Sequence, residues 1–490
     1  MHGLSGFYEE MHRRTRGTDA PFYLHAKGEH TYKDLERSIQ LFNTYLSELK
    51  KARVLIFSEK GFETYSAVFA TVLSGNCWIP INPNTPAQRA ADIVMLAEPD
   101  LILTDRTLPA DMAANAKCIG TDVVLISDIL SRTKGIPLPP PDLNASDLAM
   151  IYFTSGSTGL PKGVMISQEN FVANVRNILS LVALEEGDRF VDCHDLAFVI
   201  SIPVLFPCLM VGGALVPCIQ PQEQFMPLPN IIKHRVNVLI TVPSTLARVQ
   251  KQELTQKGLK NLKVVISCGE PMHLDVLAYV LDGMKVPSVY NFYGSTEVAP
   301  WTFHHVCRPA DIDTYKRFNY VPIGKPIAGN KILLDEESEL LVSGVQVTPG
   351  YLGGIGTDKF VHRDGIRWYR TGDKVIFEDG VYFCKGRLDS QIKIGGYRIE
   401  LLDVESHLRT LSGTDAALCF AEGEGTVKRI VAILIGQQEY SLLAVRNHLK
   451  DRLSPYMMPR RVHCIPIAPL NKSGKIDRTS LIKKFKLVAK

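Results

Sequence analysis

The chain has 490 residues, 46% of them hydrophobic and 22% charged, with a formal net charge of +4. That is ordinary globular material, long enough for about three domain-sized units. The small charge and the lack of a dense basic run exclude a case for nucleic acid; only the tail from Lys472 to Lys490 is basic, a solvated helix face or a contact for an acidic partner.

In chain order, Arg53 to Phe57 reads as a buried strand, Phe62 to Val72 as a helix and Cys77 to Ile81 as another strand. Gly135 to Pro141 is a stiff proline-rich connector. Leu148 to Phe153 is an apolar run. Phe198 to Ile219 carries no charge and is long enough to span a membrane, but Pro203, Pro207, Pro217 and Gly212-Gly213 interrupt it. It predicts a buried helix, a turn at the glycines and a core strand from about Ala214. Val236 to Thr241 and Lys263 to Ser267 are further strands, each followed by a helical stretch. This alternation predicts an α/β fold of parallel-rich sheets covered by helices. Ligands in such folds sit beyond the carboxyl ends of the strands. After about residue 388 the chain reads as a compact α+β unit, with a helical stripe of Leu442, Val445, Leu449 and Leu453 ending at Ser454-Pro455. The ten cysteines are scattered without a Cys-x-x-Cys pair, which predicts reduced thiols. With no secretory stretch at the start, the expected location is the cytoplasm.

The densest local signal is Tyr152-Phe153-Thr154-Ser155-Gly156-Ser157-Thr158-Gly159-Leu160-Pro161-Lys162-Gly163. Glycines let backbone N–H groups approach an anion, clustered hydroxyls and amides make a nest for phosphate oxygens, and Lys162 adds a point charge. The Walker pattern is different, since it ends in Gly-Lys-Ser/Thr.

The run resembles the phosphate loop of the adenylate-forming superfamily, which includes acyl-CoA synthetases, luciferases and peptide-synthetase adenylation domains. Other segments resemble that family's motifs in order: Thr31-Tyr32-Lys33-Asp34-Leu35, Leu73-Ser74-Gly75 with Trp78 to Pro83, Asn291 to Glu297, Tyr369 to Asp373, Gly386 to Asp389, Gly395 to Glu400, and Pro469 to Lys475. The resemblance spans nearly the whole chain. It implies a large N-terminal adenylation domain, 1–388, and a small mobile C-terminal domain, 389–490, hinged at Asp389.

The implied reaction has two steps. A carboxylate attacks the α-phosphate of ATP, giving an acyl-adenylate and pyrophosphate; a phosphopantetheine thiol then takes the acyl group. By resemblance, Thr154, Ser155, Gly156, Ser157, Thr158, Gly159 and Lys162 would hold the phosphates and Glu297 would hold Mg²⁺. Gly269, Glu270, Asn291, Phe292, Tyr293, Gly294 and Thr296 would surround the nucleotide, with Tyr293 against adenine and Asn291 on its edge. Asp373 would take the ribose hydroxyls and Arg387 would reach ribose or phosphate. Lys475, Glu297 and Thr158 are the expected catalytic set; from spacing alone Lys475 is one more lysine in a basic tail, and the motif singles it out. In the second step Gly395-Gly396 would line the thiol channel, with Lys393 against the thiol donor or nucleotide.

Asp195 to Leu215 and the cysteine of Ser267-Cys268-Gly269-Glu270 resemble D-alanine–carrier-protein ligases without gaps. Those ligases set an aspartate against the substrate's α-ammonium, where this chain has Val199. The remaining pocket positions, Phe198, Ile200, Pro203, Thr241, Ile266, Cys268, Phe292, Pro300 and Trp301, carry no charge. The expected substrate is therefore a small or flat acid without an α-amine: short-chain, hydroxy, keto or aryl. The alternatives are an amino acid (β- or D-amino acids included), with its amine on a shifted carboxylate such as Asp195, and an acyl-CoA synthetase that uses free CoA. Few residues follow Lys475, so the expected acceptor is a carrier protein in trans.

Overall fold

The computed structural model describes residues 3–155, 160–251, 259–354, 356–388, 391–423, 428–469 and 476–487. Two large sheets form its body. One has nine strands, in the order Lys325–Pro326, Phe303–Cys307, Ser288–Tyr293, Val264–Cys268, Val238–Thr241, Arg189–Asp192, Ala214–Pro217, Pro21–His25 and Gly28–Thr31. Its central pairs are parallel and its edges antiparallel. The other has seven: Gly350–Tyr351, Lys162–Ser167, Leu148–Thr154, Cys77–Ile81, Arg53–Phe57, Leu101–Thr104 and Asp122–Leu125. The predicted α/β class with parallel-rich sheets is observed.

The predicted buried helix is Ser201–Met210, followed by a turn and the strand Ala214–Pro217. It packs between the large sheets, where Phe206 meets Phe69 and Phe171 edge-on at 5.6 and 4.6 Å. Each such fully buried ring contributes roughly 1.5–3 kcal/mol by leaving water. Among the described residues no helix is long and apolar enough to cross a membrane. The segment Thr31 to Leu35 is a helix start: Thr31 Oγ1 accepts the Asp34 N–H, and Asp34 accepts the Thr31 N–H at 2.8 Å.

The phosphate-loop motif joins two antiparallel strands, Leu148–Thr154 and Lys162–Ser167, so Lys162 opens a strand.

A five-stranded antiparallel sheet, from Asn330–Leu334 to Val381–Arg387, leads to the C-terminal elements. These are the hairpin Gln391–Ile394 and Tyr397–Glu400, then a sheet of Ala416–Glu422, Arg429–Ile435 and Arg461–Ile465. They form their own cores. Ala417, Cys419, Ala432 and Leu434 face the helices Leu401–Leu408 and Leu442–Leu449. The alternate residues, Leu418, Phe420, Val431 and Ile433, face Leu481 of the helix Arg478–Leu487. The predicted stripe ends its helix at Leu449; Leu453 is buried in the turn beyond.

Candidate active site

The carboxyl ends of the strands Val238–Thr241, Val264–Cys268 and Ser288–Tyr293 run toward the C-terminal hairpin. Between them lies a cavity of about 540 Å³. It is lined by Thr154 and Ser155, by Phe198, Val199 and Ile200, by Cys268 and Gly269, and by Gly294, Thr296, Pro300 and Trp301. Asp373, Arg387, Lys393, Gly395 and Gly396 complete it. Segments far apart in the chain thus converge at the strand ends, where α/β folds bind ligands. A second hollow, of about 220 Å³, opens beside it and contains Thr154, Ser155, Lys162, Glu297, Tyr351 and Arg398.

The second hollow is polar. Glu297 is 1% exposed. Its Oε2 accepts from Arg398 Nη1 at 2.6 Å and its Oε1 from the Tyr351 hydroxyl at 2.8 Å. Burial alone would raise its pKa, but the Arg398 charge and the hydrogen bonds prevail and hold it down to about 2. Ser155 Oγ donates to the Arg398 carbonyl at 3.3 Å and accepts the Glu400 N–H at 3.1 Å. The C-terminal hairpin is therefore docked directly onto the phosphate-loop residue and the buried carboxylate. Arg89 Nη1 adds a buried contact with Asp403 of the C-terminal helix at 3.6 Å. Lys162 Nζ lies 5.8 Å from the Tyr351 ring centre.

At the nucleotide end, Asp373 receives a hydrogen bond from the Tyr293 hydroxyl at 2.5 Å and an ion pair from Arg387 at 2.9 Å. Gly294 is required: a Cβ there would stand 2.0 Å from the Pro300 carbonyl oxygen. Gly396 has φ +83°, and a Cβ on it would meet Val242 at 2.6 Å. Its N–H donates to Glu270 Oε1 at 2.8 Å, so Glu270 holds the hairpin turn as well as the Ser244 N–H.

The acid end is apolar. Phe292 and Trp301 lie 4.5 Å apart and buried. Cys268 is buried, which lifts its thiol to about 12. Pro203, Thr241, Ile266 and Phe292 form the layer behind the wall rather than its surface, because the strands and the helix bury them almost completely. Asn291 and Tyr293 also lie behind it, Asn291 donating to the Pro322 carbonyl at 2.9 Å. Two carboxylates line the cavity among the described residues, Asp195 and Asp373. Asp195 accepts the Ala197 N–H at 2.9 Å and a short hydrogen bond from Asn82. Burial raises its pKa.

Gly156, Ser157, Thr158, Gly159, Asp389 and Lys475 lie outside the described residues. Ile476, beside the last of them, packs against the outer face of the C-terminal sheet.

Sequence reasoning assigned no role to Arg398, although it sits in the quoted Gly395-to-Glu400 motif. Tyr351, Arg89 and Tyr456 carried no local signal; Tyr397, inside the same motif, stacks on Tyr456 at 4.1 Å under Phe198.

An α/β body with a mixed charged and apolar cleft closed by a C-terminal hairpin defines an adenylating enzyme. The chain belongs to the AMP-binding enzyme family, whose model matches residues 9–352, and it is an AMP-forming ligase that activates a carboxylic acid with ATP. It is similar to the D-alanine–D-alanyl carrier protein ligase of Listeria innocua serovar 6a, with 30% identity over 490 residues, 94% of this chain and 96% of that protein. Among solved structures it resembles the Vibrio cholerae adenylation domain AlmE in complex with glycyl-adenosine-5'-phosphate. That match has a TM-score of 0.83 and 23% identity, covering 99% of this chain and 98% of that one. The amide bond synthetase McbA from Marinactinospora thermotolerans matches with a TM-score of 0.85 and 20% identity, over 97% and 99%. At those identities the two structures speak for the fold alone.

Proposed function

We infer that the enzyme activates a small acid lacking an α-amine and passes it to a phosphopantetheine thiol on a carrier protein. The observation that carries the first part is the engagement of both cavity carboxylates. Asp195 is held by Asn82 and Ala197, and Asp373 by Tyr293 and Arg387. An ammonium brought to Val199 finds no free carboxylate among the described residues, and a buried charge without a partner is costly. The carrier reading is supported by the Listeria innocua relative, whose name includes a carrier protein.

In this reading the domains divide at 388/389, and Asp389 absorbs the rotation between half-reactions. Lys162 and the hydroxyls of the phosphate loop bind the β- and γ-phosphates; Lys475 stabilises charge at the α-phosphate. Asp373 orients the ribose. Glu297 is an ionised carboxylate opening on the same hollow as Lys162, which fits a hard cation. Mg²⁺ held by Glu297 would neutralise phosphate charge when bound. The docked hairpin, with Gly395-Gly396 on the cavity, fits the second step.

Acid-dependent ATP–pyrophosphate exchange tests the reading, with a panel pairing α-amino acids with hydroxy, keto and des-amino counterparts, plus aryl and β-amino acids. Exchange with an amine-free acid is expected. Strong exchange with an α- or β-amino acid instead would overturn it and direct attention to Asp195.

A further inference from the structure

Away from the acid wall, on the other face of the nine-stranded sheet, three metal-binding side chains meet. Alternation along the strand Phe303–Cys307 sends His304 against Phe292, with 5.9 Å between ring centres, and turns His305 and Cys307 the other way. Phe292 and Trp301 belong to one hydrophobic core, Cys307 and Tyr315 to another. The chain then reverses at Arg308-Pro309, and the Asp311 N–H donates to the Arg308 carbonyl at 3.0 Å. That turn lays Asp311 beside the two strand residues. The donor atoms of His305, Cys307 and Asp311 all lie within 4.8 Å of one another, and among the described residues no other trio of such side chains converges in this way.

The trio is enclosed. Cys307 is 6% and Asp311 7% exposed, and the His305 side chain 12%. His305 Nε2 and Asp311 Oδ2 lie 2.8 Å apart, and Oδ2 also accepts the Arg308 N–H at 2.8 Å. The other carboxylate oxygen, Oδ1, accepts no hydrogen bond among the described residues. Tyr315 closes one side, its ring edge-on to His305 at 5.9 Å. A buried cysteine alone is ordinary core material, and a His–Asp contact alone is an ion pair. What sets this group apart is a nitrogen, a sulfur and an oxygen donor gathered in one buried place.

We propose that His305, Cys307 and Asp311 bind a divalent transition-metal ion, zinc best, at a structural site separate from Glu297. One imidazole, one thiolate and one carboxylate suit a borderline ion, whereas magnesium takes oxygen. Tetrahedral zinc, with bonds of about 2.0–2.3 Å, sets its donors roughly 3.3–3.7 Å apart, so the His305–Asp311 contact opens by about half an ångström and the sulfur draws in. Water takes the fourth position. Burial keeps the Cys307 thiol protonated without metal; a coordinated thiol is deprotonated outright, and that proton leaves to solvent. In the ladder His305 stands opposite Asn291 and Cys307 opposite Val289. The ion would therefore tie the sheet edge to the segment after Arg308 and brace the strand Ser288–Tyr293 from its neighbour.

The test uses the full-length protein, stripped with a chelator and kept free of ATP and magnesium. Zinc alone is titrated against a chromophoric competitor, and cobalt replaces it for spectroscopy. One tight equivalent of zinc is expected in the wild type, and zinc should raise its unfolding temperature. Cobalt should show a sulfur-to-metal charge-transfer band and the strong visible bands of a tetrahedral site. Cys307→Ser should abolish the charge-transfer band and weaken zinc by about 100-fold or more, since even a group behind a metal ligand is worth about 10–100-fold. His305→Gln keeps the thiol and should also weaken zinc, which preserves the test if Cys307→Ser does not fold; circular dichroism checks both variants. Equal zinc uptake in a folded variant and the wild type, or cobalt bound without the sulfur band, would move the ion elsewhere, to the exposed Cys118 for example, and overturn the site. The absence of a tight equivalent in the wild type would overturn it too, leaving His305 and Asp311 as an ion pair only.

Discussion

At its acid end the cavity presents carbon: Val199, Ile200, Pro300 and Trp301, backed by side chains buried against the sheets. A short distance away the phosphate hollow presents charge: Lys162, Glu297 and Arg398, cross-linked by hydrogen bonds from a separate part of the chain. The first region is built mainly by the body, with Phe198 packed on Tyr397 and Tyr456 of the C-terminal elements. The second is shared between the body and the C-terminal hairpin. On the proposed assignment, selectivity would belong to the apolar wall and turnover to the contacts shared with the hairpin.

The sharpest way to break this contrast is at the phosphate side. Lys475→Ala should lower pyrophosphate exchange by about 10²–10³-fold, as loss of a charge-stabilising donor does, while acid preference across the panel stays the same. A changed preference would mean the two ends are not separable.

Arg398→Gln should come next. It leaves Glu297 buried with Tyr351 alone, and breaking a buried pair from one side costs about 3–5 kcal/mol. Denaturant titration should show the loss. The pH dependence follows in sign. Glu297 has a depressed pKa in the folded protein, so its contribution is present above the ordinary carboxylate range and fades as pH falls toward about 2. In Arg398→Gln the folded pKa rises, and acid loss should set in at higher pH. An unchanged acid profile would show that the pair does not hold the hairpin in solution.

At the other end, Val199→Asp places an unpaired carboxylate in the apolar wall. Exchange with the preferred acid should fall about 10–100-fold, matching the 1–3 kcal/mol of an unpaired buried polar group, and amine-bearing acids should gain. A uniform loss without any gain would mean that residue 199 does not face the substrate.

The smallest effect is expected at the seam. Gly396→Ala must push Val242 aside in a left-handed conformation, at a cost of about 1 kcal/mol or more. Transfer should slow severalfold relative to exchange. Equal slowing in both would detach Gly396 from the second step.

Much of this was legible before any coordinates. The strands Arg53–Phe57 and Cys77–Ile81 were read at the observed bounds, because continuous apolar runs between helical stretches have few other solutions in an α/β chain. Asp373, Gly294, Val199 and Trp301 were found through motifs and do meet on one cavity. What stayed hidden was pairing across the chain. Nothing local joins Glu297 to Arg398, Ser155 to Glu400 or Arg89 to Asp403, since each contact depends on how the C-terminal elements dock. Depth was hidden too: Thr241 and Ile266 belong to strands that point at the site, but strand alternation and packing decide which side chains reach it.

On the proposed assignment, Glu297 serves two cations in succession, first the metal that accompanies the phosphates and later the guanidinium of Arg398. One carboxylate with both oxygens occupied cannot do both at once. The docked hairpin with Arg398 on Glu297, and a cation that Glu297 would hold, would therefore be alternative arrangements of the same carboxylate. Charge neutrality then links the two half-reactions: on this assignment, raising the divalent cation concentration should oppose acyl transfer by competing with Arg398 for Glu297.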